Sequence, residues 1–464
     1  MESHEEVAAF LQSELTRRAA QRGVPGAAVA VVLDDEIIDH AVGVLSTATG
    51  VEATPESVFQ IGSITKVWTA TLVMQLVDEG IVSLDEPVIT YLPDFRLADP
   101  VTTAAITVRH LLSHQAGFEG DVFTDTGRGD DAIARFVDLL AEMPQIFPPG
   151  TMFSYNNAGY IVLGRLVERL RGTTWEQALV ERIATPLGLE RVSPSPYEAI
   201  VHRVAVGHVG PDESGIPKPA PFWAMARSNE PAGSMLAMTA RDLAGFARMH
   251  LAGGTAADGA VVLSPDSAAA MHTPQVHLPR VAGMGSDWGL GWEIDRVGEP
   301  ALFGHDGNTV GQASFLRIAP AAGVAVALLT NGGDGAGLFH DIVDELLSEL
   351  ADVRLPERLE PPAEAPSIDA GRYVGVYENS IVEMEFSADA DGRIWLEQRP
   401  KAMLLELGEQ PSREELIGFR DDSLIMRNEQ SGMHIVFAFL APDDDGHHSY
   451  VHFGRALSRQ KVSK

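Results

Sequence analysis

Cysteine is absent from the 464-residue chain. Without thiols there can be no disulfide, no thiolate metal ligand and no cysteine nucleophile, so covalent catalysis would have to use another side chain. Basic residues are scarce as well, because 34 Lys and Arg stand against 65 Asp and Glu, a formal net charge of −31. Binding to a phosphate backbone needs clustered Lys and Arg, so this composition argues against a nucleic-acid partner.

Long apolar runs are also missing from the sequence. No stretch approaches the roughly 18 consecutive apolar residues that a membrane-spanning helix requires, so we predict no membrane partner. The first twenty residues, MESHEEVAAFLQSELTRRAA, carry early acidic residues and lack the apolar centre of a signal peptide. They predict an amphipathic helix instead, and we therefore expect a cytoplasmic protein.

Hydrophobic periodicity predicts strands at both ends of the first 354 residues and helices between them. Residues 24–43, VPGAAVAVVLDDEIIDHAVG, predict a hairpin at a sheet edge, and strand patterns return near 301–331. The predicted helices are 64–79, 107–114, 157–171, 174–183, 239–252 and 338–351. This order predicts an α+β domain with one antiparallel sheet over residues 1–354.

The composition and the hydrophobic pattern of the sequence change after this domain. The segment RLPERLEPPAEAPSID is rich in Pro and Glu and predicts a semi-extended linker at 355–368. Residues 369–464 contain short alternating runs such as RYVGVYEN and HIVFAFLA, separated by turn residues. They predict a small all-β domain that closes into a barrel. This barrel could carry a ligand or cover the cleft of the first domain.

The first candidate for chemistry is the pair Ser63 and Lys66, at the start of the predicted helix 64–79. Residues at i and i+3 share a helix face with Cβ atoms about 5–6 Å apart, so the amine can reach the hydroxyl. A buried lysine loses its proton readily, and an unprotonated amine is the base that a serine nucleophile needs. The main-chain N–H of Ser63 would also stabilise an oxyanion. Taken alone, a Ser-x-x-Lys pair is more often a helix cap and a surface lysine, because four-residue motifs recur by chance.

A second motif, Tyr155 and Asn157, lies in PPGTMFSYNNAGY after a Pro-Pro-Gly turn. A phenol near a protonated lysine can titrate below its ordinary pKa of about 10, which makes Tyr155 a candidate general acid or base. The alternatives are a loop aromatic for Tyr155 and a helix cap for Asn157.

A third motif, His305-Asp306-Gly307, opens a predicted strand in FGHDGNTVGQASF. Gly307 would let a substrate backbone approach the strand edge, and the N–H of Asn308 would be a second oxyanion donor. A structural histidine is the alternative for His305.

In this order, the Ser-x-x-Lys, Tyr-x-Asn and His-x-Gly motifs resemble those of the serine β-lactamase and penicillin-binding-protein superfamily, and most closely its class C-like branch. The segments ITVRHLLSHQAGF, PAGSMLAMTARDLAGFARMHL and WGLGW also look typical of that branch. The resemblance implies an α/β sandwich with the active site between sheet and helical subdomain. It makes Ser63 the acylated nucleophile, Lys66 its base partner and Tyr155 the acid/base residue. Asn157 would orient substrate and lysine.

We predict no cofactor and no metal. His110 and His114 have the i, i+4 spacing of zinc ligands on a helix. The adjacent glutamate of a metalloprotease helix is missing, and the resemblance places both histidines in a structural turn.

The third motif departs from the Lys-Thr-Gly of many β-lactamases and transpeptidases. Histidine is mostly neutral at pH 7, and Asp306 would repel a substrate carboxylate if it faced the pocket. The sequence therefore argues against β-lactam hydrolysis and against D-Ala-D-Ala carboxypeptidase activity. His-x-Gly versions of the motif resemble esterases, D-aminopeptidases and transacylases.

Both halves of the chain are most similar to penicillin-binding-protein-type thioesterases, which carry a C-terminal lipocalin-like domain. Those enzymes take a nonribosomal peptide from its carrier-protein thioester and close it head to tail as a macrolactam. We therefore predict a serine acyl-enzyme peptide cyclase. A D-aminopeptidase-like or esterase-like hydrolase is the alternative. A β-lactamase and a non-catalytic binding protein are the two less favoured alternatives.

The predicted partners are a peptide or acyl thioester substrate and a carrier protein. Carrier proteins are usually acidic, so docking one needs a basic patch, for which RLVERLRG at 165–172 is a candidate. Three tryptophans, Trp223, Trp288 and Trp292, are candidates for the pocket wall, with core packing as the alternative.

Overall fold

The computed structural model describes residues 1, 3–211, 215–281, 283–297, 301–401, 404–405, 409–429 and 433–460. The strands are β1 (Gly26–Leu33), β2 (Glu36–Gly43), β3 (Ser57–Gln60), β4 (Arg203–Val204), β5 (His208–Pro211), β6 (Pro217–Pro219), β7 (Ala237–Met238), β8 (Val276–His277), β9 (Asp287–Trp288), β10 (Glu293–Asp295), β11 (Leu302–Thr309), β12 (Gln312–Ala319), β13 (Val324–Thr330), β14 (Gly375–Glu378), β15 (Val382–Ala388), β16 (Ile394–Pro400), β17 (Ser412–Gly418), β18 (Ser423–Met426), β19 (Val436–Pro442), β20 (His448–His452) and β21 (Ala456–Arg459).

The helices are α1 (His4–Phe10), α2 (Thr16–Gln21), α3 (Thr65–Asp78), α4 (Pro100–Ala105), α5 (Val108–Leu112), α6 (Ala132–Leu139), α7 (Asn157–Arg171), α8 (Trp175–Leu179), α9 (Pro196–Ala199), α10 (Ala240–Leu251), α11 (Pro265–Met271) and α12 (Gly335–Ala351). A π-turn at Leu11–Leu15 joins α1 and α2 into one helix. No helix among the described residues is long and apolar enough to cross a membrane.

The central sheet is antiparallel and has the strand order β2-β1-β13-β12-β11-β10-β9-β8. Both of its faces are covered, which explains why β1 is apolar at nearly every position. Val29 and Val31 pack with α1, α2 and α12 on the outer face. Ala28 and Ala30 face the opposite layer, which contains α3, α7 and α10. Small residues on that inner face fit the close packing of α10 against β1 and β13.

Helix α3 is the central element of the inner layer and is buried on almost every side. Its apolar residues are spread around the whole helix rather than along one stripe, which is the pattern of a helix inside a protein. The strand β3 leads into it, and β3 pairs with β4 on one side and β7 on the other. The start of α3 is therefore held between the main sheet and this small second sheet.

The C-terminal domain is a closed barrel with the order β14-β15-β16-β17-β18-β19-β20-β21. Large apolar side chains fill its interior, among them Tyr377, Phe386, Leu396, Phe437 and Phe439. These side chains form one buried apolar cluster, so the barrel has a core of its own.

The predicted fold class, an α+β domain followed by a small all-β barrel, is confirmed. The boundaries differ in detail, because α12 begins at Gly335 rather than 338 and the predicted helix 174–183 changes to a π-turn at Val180–Ala184. Between α12 and a 3₁₀ turn at Ala370–Arg372 there is neither helix nor strand, which is where the linker is predicted.

Candidate active site

Ser63 lies in a 3₁₀ turn, Gly62–Ile64, between β3 and α3. Neighbouring backbone encloses this turn tightly. A Cβ atom on Gly62 would lie 2.5 Å from the main-chain N of Asn308, and one on Gly233 would lie 2.2 Å from the carbonyl of Gly62. Both glycines also have positive φ, at +50° and +114°. The position of the serine is therefore fixed by backbone packing, while its side chain remains half-buried rather than sealed.

Lys66 is fully buried, and its Nζ lies 3.0 Å from Ser63 Oγ and 2.6 Å from the carbonyl oxygen of Ala232. Burial, and then the positive charge of Arg455, hold the pKa of Lys66 well below its usual value, although Asp121 acts in the opposite direction. A neutral amine can donate to Ala232 and present its lone pair to the serine hydroxyl. This geometry suits the role of base.

Tyr155 lies beside the amine, with its ring centroid 4.9 Å from Lys66 Nζ. Burial raises the pKa of Tyr155 above its usual value, while a hydrogen bond with Ser63 partly offsets the effect. The sequence argument that a protonated lysine would lower the pKa of Tyr155 was wrong, because burial favours the neutral form of both groups. Tyr155 is thus a phenol in the resting enzyme, able to relay a proton rather than to act as a phenolate.

His305 projects from β11 toward the same site, and its ring centroid is 6.2 Å from that of Tyr155. Its Nδ1 lies 2.6 Å from the carbonyl oxygen of Asp306. Burial, followed by the nearby Lys66, lowers the pKa of His305 to about 3. His305 is therefore neutral at any ordinary working pH and cannot replace the cation of a Lys-Thr-Gly motif.

Asp306 lies on the other face of β11. Its Oδ1 is 2.6 Å from Nη1 of the buried Arg317, whose guanidinium is 4.8 Å from the ring of Phe339 in α12. Successive residues of a strand face opposite sides of the sheet, so Asp306 belongs to the outer layer. The predicted repulsion between Asp306 and a substrate carboxylate therefore does not arise.

Gly307 allows β11 to approach the nucleophile. A Cβ atom at this position would lie 1.9 Å from the carbonyl oxygen of Ile61, two residues before Ser63. The same approach brings the main chain of Asn308 against Gly62. The N–H of Asn308 thus lies beside the serine turn, where a second oxyanion donor is expected.

Asn157 is the first residue of α7, and the helix is capped by Asn156, whose side chain accepts the N–H of Gly159. The Asn157 amide donates to Asp121 Oδ1 at 3.0 Å. The other carboxylate oxygen of Asp121 pairs with Nε of Arg455. The resemblance implied that Asn157 orients the lysine, whereas its hydrogen bond goes to Asp121.

The barrel takes part in the site through the turn between β20 and β21. Residues 153–155 form successive hydrogen bonds with this turn: His452 Nε2 to Phe153 O at 2.9 Å, Ala456 N to Ser154 Oγ at 3.0 Å, and Tyr155 N to Gly454 O at 3.0 Å. Arg455 lies in the same turn, with its guanidinium 5.2 Å from the ring of Tyr155. One wall of the site therefore comes from the second domain.

The three tryptophans have different environments. Trp288 is buried and lies edge-on to Tyr155 and to His305, at centroid distances of 5.7 Å and 5.3 Å. Trp223 is partly buried and donates to the carbonyl of Ala205. Trp292, predicted to contact substrate, is fully buried among other rings. Trp292 is thus a core residue, and the prediction of substrate contact is corrected.

Sequence reasoning missed Asp121, Arg455 and the role of His114. Asp121 and Arg455 have no local motif, because each acquires its role only when the barrel turn packs against the first domain. His114 was noticed for its spacing from His110 and was considered as a metal ligand or as part of a structural turn. It lies at the centre of the site instead, with its ring 4.4 Å from that of Tyr155.

The family described as Beta-lactamase matches residues 11–348. The chain belongs to the Beta-lactamase family. Penicillin-binding protein 4 of Amycolatopsis lactamdurans is 48% identical over 374 residues, which cover 80% of this chain and 97% of that protein. The crystal structure of SurE matches with a TM-score of 0.80 at 30% identity, and SurE with D-Leu with 0.78 at 32%. Both cover 98% of this chain and 99% of the other. The likeness to SurE therefore includes the barrel, and the resemblance found from the sequence is confirmed.

Members of the Beta-lactamase family with this arrangement can perform acyl transfer through a serine ester. The geometry of this site suits such a transfer, because the Lys66 amine lies beside the Ser63 hydroxyl and the main chain of Asn308 lies against the serine turn. We therefore describe the chain as a serine hydrolase or acyltransferase.

Proposed function

We propose that this enzyme is a penicillin-binding-protein-type thioesterase, which releases a peptide from a thioester and closes it head to tail as a macrolactam. The observation that carries the proposal is the barrel turn at the active site, where Gly454 and Arg455 pack against Tyr155. The match of both domains to SurE supports it, and the complex of SurE with D-Leu suggests a donor with a D-residue at its C-terminus.

The burial of the catalytic groups favours transfer to an amine over hydrolysis. Lys66, Tyr155, Asn157 and His305 are all buried, and Ser63 is the one member of the set that is partly exposed. A site with little space for water protects an acyl-enzyme from hydrolysis. A peptide folded back on itself then presents its own amine at a high effective concentration.

Acylation begins when Lys66 Nζ takes the proton of Ser63 Oγ, which attacks the thioester carbonyl. The main-chain N–H groups of Ser63 and Asn308 stabilise the resulting oxyanion. The carbon–sulfur bond breaks, and the thiolate leaves with a proton supplied from Lys66 through Tyr155. An acyl-Ser63 ester remains, and Lys66 is again neutral.

Cyclisation repeats the same proton path in reverse. The N-terminal amine of the peptide attacks the ester carbonyl and gives its proton to the Tyr155 and Lys66 pair. The carbon–oxygen bond then breaks, and Ser63 Oγ recovers that proton. The product is a lactam with the mass of the linear peptide acid minus one water.

A carrier protein as thioester donor is a separate part of the proposal. The basic segment suggested for docking is less available than its sequence indicates. Arg165 Nη1 lies 3.0 Å from Glu168 Oε2, and Arg171 Nη1 lies 2.6 Å from Glu79 Oε2. Donor tests should therefore use a small thiol ester as well as a carrier-bound one.

Product analysis tests the function. The purified enzyme is incubated with a peptide N-acetylcysteamine thioester that has a free amine and a C-terminal D-residue, and products are identified by mass spectrometry. We expect the cyclic product, and none from Ser63→Ala. An N-acetylated copy of the substrate is the matched control, because it can acylate Ser63 but cannot cyclise. Release of only the linear acid from the free-amine substrate would refute the cyclase and favour the hydrolase.

A further inference from the structure

His114 forms hydrogen bonds with the residues on both sides of Tyr155 in the sequence. Its carbonyl oxygen accepts the N–H of Ser154 at 2.9 Å, and its ring Nδ1 accepts the N–H of Asn156 at 2.9 Å. These are the two sequence neighbours of Tyr155. The rings of His114 and Tyr155 also lie face to face, with centroids 4.4 Å apart and planes 30° apart. One residue thus contacts the tyrosine segment by its main chain, its ring nitrogen and its ring face.

The backbone of His114 is in an uncommon conformation. Its φ is +56°, in the left-handed region that residues other than glycine rarely adopt. Such a conformation persists where the surroundings hold the residue in place. Here the side chain is fully buried, just beyond the end of α5.

The hydrogen bond to Asn156 determines where the ring proton lies. Because Nδ1 accepts an N–H, the neutral ring carries its proton on Nε2, which has no hydrogen-bond partner among the described residues. Burial is the largest cause that holds the pKa of His114 well below its usual value, and the charge of Arg455 acts in the same direction. A protonated ring would have to direct an N–H at the N–H of Asn156.

We propose that His114 is a positioning residue for acylation, which sets the orientation of the Tyr155 phenol through the acceptor Nδ1 and the stacked ring. It acts through Tyr155 and does not touch the substrate. The inference rests on the acyl-enzyme chemistry of the proposed function, but it does not depend on whether the acyl group is later cyclised or hydrolysed.

Two amide variants separate positioning from simple packing. In His114→Asn, the side-chain oxygen lies near the position of Nδ1, and asparagine tolerates a positive φ. In His114→Gln, the oxygen reaches the position of Nε2 instead and cannot accept from Asn156. His114→Ala removes both the acceptor and the ring.

The readout is the pre-steady-state burst of p-nitrophenol from p-nitrophenyl acetate. The burst rate constant and the KM are determined for each variant, and both values refer to the folded fraction of the protein. We expect His114→Asn to acylate within about fivefold of the parent, and His114→Gln and His114→Ala to lose about 100-fold in rate with little change in KM. His250→Asn is the control. This substitution changes another buried histidine, one whose two ring nitrogens lack partners and which lies in the core beside Phe246 and Trp292. It should lower Tm and leave the burst rate unchanged.

Equal burst rates for the folded Asn and Gln variants would overturn the inference, and this comparison remains decisive if His114→Ala does not fold. An effect on KM alone would also overturn it. A parent enzyme that gives no burst and no acyl adduct would instead refute the proposed function together with the inference.

Discussion

Burial lowers the pKa of Lys66 and raises the pKa of Tyr155, and both shifts favour the neutral form of the group. The amine loses its proton more easily and the phenol keeps it, so a neutral base and a neutral acid meet at Ser63. Neither residue needs a carboxylate partner to reach this state. In the proposed mechanism, burial of its neighbours therefore activates the serine, and the charge of Arg455 adds to the effect on Lys66.

Removing the amine should abolish acylation without enlarging the site. We expect Lys66→Met, which keeps most of the side-chain volume, to lower the burst rate constant by about 1,000-fold, within the range for loss of a general base. Lys401→Met, at a partly exposed lysine paired with Glu378 in the barrel, should have no effect. A burst from Lys66→Met within tenfold of the parent would assign the base to another group.

The pH dependence of acylation should depend on Arg455. Only neutral Lys66 is active, so the rate should rise with pH and reach its plateau below the usual lysine pKa of about 10.5. The charge of Arg455 lowers the pKa of Lys66, so Arg455→Ala should raise it and move the acid limb to higher pH. Arg455→Lys should leave the limb near its parent position, as should Arg413→Ala on the exposed barrel surface. An unchanged limb in Arg455→Ala would contradict this coupling.

At the scale of elements, the site depends on how closely β11 approaches the turn before α3. Glycine is required at that contact, because any side chain at position 307 would overlap the carbonyl of Ile61. The approach places the N–H of Asn308 beside the nucleophile, so packing between two elements creates the oxyanion site.

A single methyl group should therefore disrupt this contact. We expect Gly307→Ala to lower kcat/KM for p-nitrophenyl acetate by at least about 100-fold, because a displacement near 1 Å in a reacting geometry has that cost. Gly210→Ala is the matched control, since a Cβ atom there meets nothing within 4 Å and φ is not positive. Equal activities for the two alanine variants would show that β11 does not position the site.

The sequence predicted the long elements and the order of the motifs, because these depend on local periodicity and on spacing within one helix or strand. Ser63 and Lys66 are an example, since residues three apart in a helical segment lie on one face. The short strands β3 and β7–β10 were not predicted, because runs of two to four residues carry too little pattern. The cap of α7 is Asn156, whereas the sequence analysis considered only its neighbour Asn157 as a cap.

Sequence patterns could not predict contacts between segments that are far apart along the chain. Arg455 looked like an ordinary residue of a barrel strand, and its importance comes from a turn that reaches the other domain. The pKa of Tyr155 was predicted in the wrong direction because its burial could not be known. The sequence left open which way Asp306 faces, and in the structure its side chain faces Arg317 on the opposite side of the sheet.

At the scale of the whole molecule, buried neutral histidines couple folding to pH. His250 is buried, and desolvation followed by the nearby His272 holds its pKa well below the usual value. Below about pH 6.5 the unfolded chain binds a proton there that the folded chain does not, so this residue makes stability fall as pH decreases.

Replacing this histidine should flatten the pH dependence of stability. Between pH 7.5 and pH 5, we expect the free energy of unfolding of His250→Phe to change by about 2 kcal/mol less than that of the parent. Urea unfolding at the two pH values measures this difference. Phe246→Leu, in the same aromatic cluster, removes no titrating group and should destabilise equally at both. An undiminished pH dependence in His250→Phe would contradict the account.

Intact-protein mass spectrometry with peptide mapping tests the central claim, acyl transfer through Ser63, most directly. The enzyme is mixed with the N-acetylated peptide thioester, which can form an acyl-enzyme but cannot leave as a ring, and is quenched within seconds. We predict a mass increase equal to the acyl group on the parent, located on Ser63, and none on Ser63→Ala. An adduct on another residue, or turnover without dependence on Ser63, would contradict the account.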